Sequence, residues 1–217
     1  MRNTHNLSTS RPQTYPEHLP QIVLGSSSVF RKALLDKLHL PFSQSAPEIN
    51  ESPLAKETPK QMVARLSLEK AKALQSKHSD KIIIASDQTA CFNDKPLGKP
   101  GNFDKAKQQL EQFSGNKVVF YTGLAVFNPK TQAYHQAMDI TEVYFRCLTQ
   151  ETIENYLQIE QPYQCAGSFK SEGLGITLFE KIQSQDPNAL IGLPLIELTS
   201  IFKHMGIQLP LKPATTN

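Results

Sequence analysis

The chain lacks the features that mark several large protein classes. It has almost no charge excess: 23 Lys and Arg face 20 Asp and Glu, a formal net charge of +3 over 217 residues. That is too little to hold a nucleic-acid backbone by charge alone, so its cations act through position. It has only three cysteines, Cys91, Cys147 and Cys165, far apart in the chain. An odd, scattered set argues against a disulfide framework, and no CxxC or Cys/His spacing offers a structural zinc site. No apolar run approaches the ~20 residues of a membrane span. The first twenty residues have no apolar core and do not read as a secretory signal. Their polar, proline-bearing composition (Pro12, Pro16, Pro20) reads as a disordered tail. Its Arg2, Arg11 and single acid, Glu17, also admit an organelle-targeting segment, with the cytoplasm as the default. There is no GxxxxGK[ST] phosphate loop and no Ser/His/Asp arrangement; the six histidines read as surface residues or fall in unrelated contexts.

What remains is an ordinary globular composition, 39% hydrophobic and 20% charged, long enough to bury a real core. The domain is expected over residues 21–207, between a tail at 1–20 and another at 208–217. Residues 22–24 read as a short strand, and Ser28 caps a helix reaching about residue 38, with Phe30, Leu34 and Leu38 four apart along one face. Thr58 and Pro59 open a second helix to about residue 74. "KIIIASDQTACF" (81–92) reads as a buried strand that stops at polar residues and resumes. Residues 103–113 and 150–160 read as helices, 117–148 as two long strands around an Asn128-Pro129-Lys130 hairpin, and 194–204 as a final helix. Early alternation of helix and strand around a central hairpin predicts a mixed α/β sheet.

Chemistry gathers at a few places. In "IVLGSSSVFRKALLDKL" (22–38), a strand meets a helix at Ser26, Ser27 and Ser28, with Arg31 in the first turn. Unpaired helix amides, hydroxyls and a guanidinium fork together make an anion cradle; the plainer reading is capping residues and a solvated arginine. Ser86, Asp87 and Gln88 follow an apolar run, where an aspartate can hold a divalent metal or orient water, or simply start a turn. "PEINES" (47–52) adds Glu48 and Glu51, and "LGKP" (97–100) adds Lys99 in a tight turn. Lys70 reads by default as a surface lysine. Together these carboxylates and cations form the inventory of a site for metal-bound polyphosphate.

The motifs S-S-S-x-x-R, N-E-S-P, L-S-L-E-K-A (66–71), A-S-D-Q, L-G-K-P and F-Y-T-G-L-A (120–125) occur in an order that resembles the Maf family of nucleotide pyrophosphatases. The resemblance runs from Gln21 to about Gly206. "ASDQ" and "CAGSFKSEGLGITLFE" (165–180) resemble the subgroup that cleaves 7-methyl-GTP, whereas the thymidine/uridine subgroup shows A-D-T at the former place. The resemblance implies a two-lobed mixed α/β fold similar to inosine triphosphate pyrophosphatases, with nucleotide between the lobes. The implied reaction is hydrolysis of a nucleoside triphosphate to monophosphate and pyrophosphate with a divalent cation (Mg, Mn or Co). By motif position, it makes Asp87 the general base or water-orienting acid and Glu51 its partner in holding metal. Arg31, Lys70 and Lys99 become phosphate-binding cations, with Ser26 in the cradle. Phe30, Gln88 and Glu172 take the positions that set base preference. The subgroup's Trp and Pro are replaced here by Phe30 and Val29. Phe30 could instead pack in the core against Leu34, and Glu172 could be a solvated loop acid. A homodimer is a family-level expectation. The competing functional class is a nucleotide-binding regulator, for example of cell division, with little turnover. The pair Asp87 and Glu51 favours the enzyme, because a pure binder of phosphates gains little from carboxylates aimed at them.

Overall fold

The computed structural model describes residues 19–211. The chain runs β1 (Ile22–Gly25), α1 (Val29–Asp36), β2 (Phe42–Gln44), α2 (Pro59–Gln75), β3 (Ile82–Phe92), β4 (Lys95–Leu97), α3 (Phe103–Phe113), β5 (Lys117–Asn128), β6 (Ala133–Phe145), α4 (Gln150–Glu160), β7 (Phe179–Gln183) and α5 (Leu195–His204). One seven-stranded sheet holds the order β2-β1-β3-β5-β6-β7, with β4 on the end of β3. The pairs β1–β2 and β1–β3 are parallel, and every other pair is antiparallel. This is the mixed sheet that the sequence pattern predicts. The helices sit where their caps put them: Ser28, Thr58, Asn102 and Thr149 each accept a backbone N–H of the first turn, and Thr58 with Gln61 completes a capping box.

Two hydrophobic clusters define two lobes along the sheet. The first packs α1 and α5 on β1 and the start of β3, through Leu24, Leu34, Leu35, Ile84 and Phe202. The second packs α3, α4 and β7 on the far ends of β5 and β6, through Phe113, Phe120, Phe145, Leu157 and Phe179. Each such side chain, withdrawn from water, contributes about 1.5–3 kcal/mol before entropy is counted. A third cluster lies under α2 and includes Ala71, Leu74, Ile83 and Phe127. Leu19, Leu209 and Leu211, beyond the expected domain limits of 21 and 207, pack partly buried on the first cluster. Most of the expected tails, residues 1–18 and 212–217, lies outside the described residues.

Two sequence expectations differ from the structure. The strand expected to break at Ser86 is one continuous strand, Ile82–Phe92, and β5 pairs it without interruption from Ile83 to Cys91. Polarity changes there because the neighbour changes. β1 pairs β3 only as far as Gly25 opposite Ala85, and β4 begins pairing only at Ala90. Between those points one edge of β3 is left without a strand partner, and Ser86, Asp87 and Gln88 occupy that gap. The second difference is α1, which stops at Asp36 rather than about residue 38, because His39 turns the chain with a positive φ of 52°.

Candidate active site

The gap beside β3 opens into a cleft between the lobes. Its larger part, about 450 Å³, is lined by Ser26, Phe30, Arg31, Glu51, Lys70, Asp87, Gln88 and Lys99 among others. A smaller part, about 160 Å³, shares Phe30, Arg31, Gln88 and Lys99 and adds Glu172 with the rings of Phe120 and Phe169. All nine site residues singled out from the sequence therefore meet in one continuous cleft. Glu48 does not join them; it is exposed and lines neither part.

The centre of the larger part is an ionic cluster. Lys70 Nζ lies 2.6 Å from Asp87 Oδ1 and 2.8 Å from Glu51 Oε1, so one ammonium draws both carboxylates together. The plain reading of Lys70 as a surface lysine is overturned: it is only 7% exposed. It falls on the stripe of α2 that faces the sheet, with Val63, Leu66, Ser67, Ala71 and Leu74. Close approach of α2 to the sheet depends on Gly123, paired with Asp87 across β3 and β5. A Cβ there would come within 2.9 Å of Val63 Cγ1 and Val63 O. Glu51 comes from a loop that α2 also holds: Arg65 donates to Glu57 at 2.6 and 2.8 Å and to Ser52 O at 3.2 Å. The Arg65 guanidinium holds the Glu57 carboxyl down at about 2.

The cradle closes the other wall. Ser26 Oγ accepts from Ser28 N at 3.1 Å, and Arg31 Nη1 lies 3.5 Å from the same oxygen. Arg31 Nε donates to Gly192 O at 2.9 Å, which aims the fork into the cleft. Burial lowers the Arg31 pKa, and the charges of Asp87 and Glu51 oppose that shift; a guanidinium stays protonated regardless. Lys99 is exposed at the mouth between the two parts.

Side chains alternate across β3, so Asp87 faces α2 while Ser86 and Gln88 face the opposite layer. There they meet a segment that sequence reasoning missed. Gln88 Nε2 donates to Ala189 O at 2.8 Å and Leu190 O at 3.0 Å, and Thr122 Oγ1 donates to Ala189 O at 3.0 Å. Ser86 Oγ lies 2.7 Å from Gly123 O and 2.9 Å from Gly192 O. This segment is anchored by Asp186, 1% exposed, which accepts N–H bonds from Asn188 and Ile196, and by Asp139, which accepts from the amide of Asp186 at 3.2 Å. Gly192 has φ of 128°, a conformation open to glycine. No local pattern links these positions to Ser86 and Gln88, a hundred residues away.

The smaller part mixes aromatic and aliphatic surface with polar side chains in about equal measure. Phe30 belongs to none of the hydrophobic clusters among the described residues and faces the cleft, so the core-packing alternative does not hold. Phe120 and Phe169 meet edge-on at 5.3 Å behind it. Cys165 is half-buried in the wall, and burial raises its thiol pKa, the opposite of what a nucleophilic thiol requires. Gln164, also missed in the sequence, lines both parts.

Two carboxylates on one ammonium suit a hard divalent cation. No group of three or more His, Cys, Asp or Glu side chains is arranged to hold a metal ion among the described residues. Glu51 and Asp87 are the carboxylates in the cleft that could contribute to holding such a cation, with phosphate oxygens and water completing its shell. No helix among the described residues is long and apolar enough to cross a membrane.

A 7-methyl-GTP pyrophosphatase from Hydrogenovibrio crunogenus is 58% identical over 192 residues, covering 88% of this chain and 96% of that protein. A 7-methyl-GTP pyrophosphatase from Colwellia psychrerythraea is 50% identical, covering 86% and 93%. Among solved structures, a HAM1 protein from Coxiella burnetii overlays with a TM-score of 0.41 at 18% identity, over 58% of this chain and 73% of that one, a partial likeness only. The model of the Maf-like protein family matches residues 21–205. The chain belongs to the Maf family.

Proposed function

We propose that this protein is a nucleoside triphosphate pyrophosphatase that hydrolyses 7-methyl-GTP to 7-methyl-GMP and pyrophosphate. The observation that carries the reading is the convergence of Asp87 and Glu51 on Lys70 inside a cleft that continues into an aromatic pocket. The two relatives named for this activity support it across nearly their whole length.

In this reading the larger part of the cleft takes the triphosphate and the smaller part the base. Arg31, Lys70 and Lys99 against Glu51 and Asp87 leave one net positive charge, far short of the ~4 negative charges of a triphosphate. One divalent cation (Mg, Mn or Co), held through Glu51 and Asp87, would supply the missing neutralisation at the scissile phosphates. Asp87 Oδ1 is committed to Lys70, while Oδ2 accepts no hydrogen bond among the described residues. We assign Oδ2 to the attacking water, whose proton it takes as the water oxygen bonds to the α-phosphorus. The α–β bridging P–O bond then breaks, and pyrophosphate leaves with its charge offset by Arg31, Lys99 and the Ser26 hydroxyl. Positioning and electrostatics suffice, so no covalent nucleophile is needed. Base choice follows from charge: methylation at N7 gives guanine a delocalised positive charge, which the face of Phe30 attracts by about 0.5–2 kcal/mol. Glu172 would accept hydrogen bonds from the guanine N1–H and amino group, with Gln88 beside it. A cytoplasmic location and a homodimer belong to the same proposal.

Product identity tests the reading. With added magnesium or manganese, 7-methyl-GTP should yield equimolar 7-methyl-GMP and pyrophosphate, and excess chelator should abolish both. Release of inorganic phosphate with 7-methyl-GDP, or full turnover in chelator, would refute it.

A further inference from the structure

We infer that Gln164 reads the sugar of the nucleotide, hydrogen-bonding the ribose 2′-hydroxyl and so favouring ribonucleotides over 2′-deoxyribonucleotides. The inference rests on the pyrophosphatase reading, which puts polyphosphate in the larger part of the cleft and base in the smaller. A nucleotide spanning both must leave its ribose at the residues common to the two walls, which are Ser28, Phe30, Arg31, Gln88, Lys99 and Gln164. Most of these have prior commitments. The Ser28 oxygen caps α1 by accepting from Arg31 N at 3.4 Å. Arg31 Nε is spent on Gly192 O. The Gln88 amide nitrogen already serves Thr122, Ala189 and Leu190. Phe30 has no polar group, and the Lys99 ammonium, a donor without an acceptor, suits phosphate. Gln164, exposed at the rim, is the uncharged side chain among them whose amide donor and acceptor both make no hydrogen bond among the described residues, whereas Ser28 and Gln88 are each held in place by at least one. A 2′-hydroxyl is itself both donor and acceptor, so one primary amide can satisfy it from either side. Its position is held by the residues around it: Cys165 N donates to Pro162 O at 3.1 Å, and Gly101 N donates to Tyr163 O at 2.9 Å. A site built to hydrogen-bond a substrate hydroxyl discriminates against the analogue lacking it.

The test compares kcat/KM for 7-methyl-GTP and its 2′-deoxy analogue in the wild type, Gln164→Ala and Gln164→Glu. The wild type should favour the ribonucleotide by about tenfold, the factor typical of one hydrogen bond to a bound substrate. Gln164→Ala should bring the two within about twofold, with the loss falling on the ribonucleotide. Gln164→Glu, which keeps an acceptor, should retain part of the preference. Equal use of the two sugars by the wild type, or an equal loss on both in Gln164→Ala, overturns the inference. If the wild type cleaves neither, the pyrophosphatase reading has failed, and the ratio of dissociation constants for the same pair then decides the sugar question by the same criteria.

Discussion

Asp87 is the residue on which the proposed chemistry turns, and its environment separates its catalytic weight from its structural one. It lies mid-strand, paired to Gly123 and bonded to Lys70, so an amide of the same shape fits its backbone and cavity. In Asp87→Asn, Lys70 keeps Glu51 and an amide oxygen as partners, so the melting temperature should move little. The variant loses the base for water and one oxygen ligand for the cation, so kcat should fall by about 10²- to 10⁴-fold. Steady-state kinetics beside a thermal melt checks both halves. Near wild-type turnover in the folded variant would remove Asp87 from the reaction. Lys70 also shows what the sequence carried and what it hid. Its place on the apolar period of α2, between Ser67 and Leu74, was readable as a buried position. The acids that partner it there were not, since Glu51 and Asp87 arrive from other parts of the chain.

The helix α2 is the element that assembles the site, and two of its contacts can be tested separately. At Gly123 a methyl group would press on the backbone carbonyl of Val63, which cannot give way as a flexible side chain would. Gly123→Ala should lift α2 from the sheet, cost about 1–3 kcal/mol in denaturant unfolding, and lower turnover by drawing Lys70 away from Asp87. At the other contact, Arg65 ties the 51–57 loop to α2 through Glu57, whose pKa falls from an ordinary 4.5 to about 2. A carboxyl depressed in the folded state stabilises at every pH above its unfolded value and loses that contribution as pH falls through its folded value. The stability difference between wild type and Glu57→Gln should therefore be flat above about pH 5 and shrink between 4.5 and 2. Urea midpoints across that range measure it, and a difference independent of pH would show the pair to be inert. Element boundaries were largely legible, because caps are local: Thr58 with Pro59, Asn102 and Thr149 each mark the start of their helix. The continuity of β3 was not, because its change from Ile and Ala to Ser, Asp and Gln records which neighbours flank the strand. A local pattern cannot distinguish the loss of a partner strand from the end of a strand.

At the level of the whole molecule, the sheet order puts the active centre where two lobes meet. β1 is short enough to end at Gly25, while β3 and β5 run on into the second lobe. In the proposed reading, polyphosphate chemistry falls to the first lobe and α2, and base choice to the pocket where Glu172, Phe120 and Phe169 of the second lobe meet Phe30 of α1. The nine candidate residues were legible as types at motif positions. The segment from Asp186 to Gly192, which holds Ser86, Gln88 and Arg31 in place, was not, because it acts through backbone carbonyls that any residue could supply. The central claim is that this two-part cleft selects a methylated, positively charged purine on a triphosphate. The most direct measurement is kcat/KM for pyrophosphate release from 7-methyl-GTP, GTP, dTTP and UTP, side by side with the same divalent cation. The account predicts 7-methyl-GTP well ahead of the other three, and dTTP or UTP ahead of it would contradict the claim.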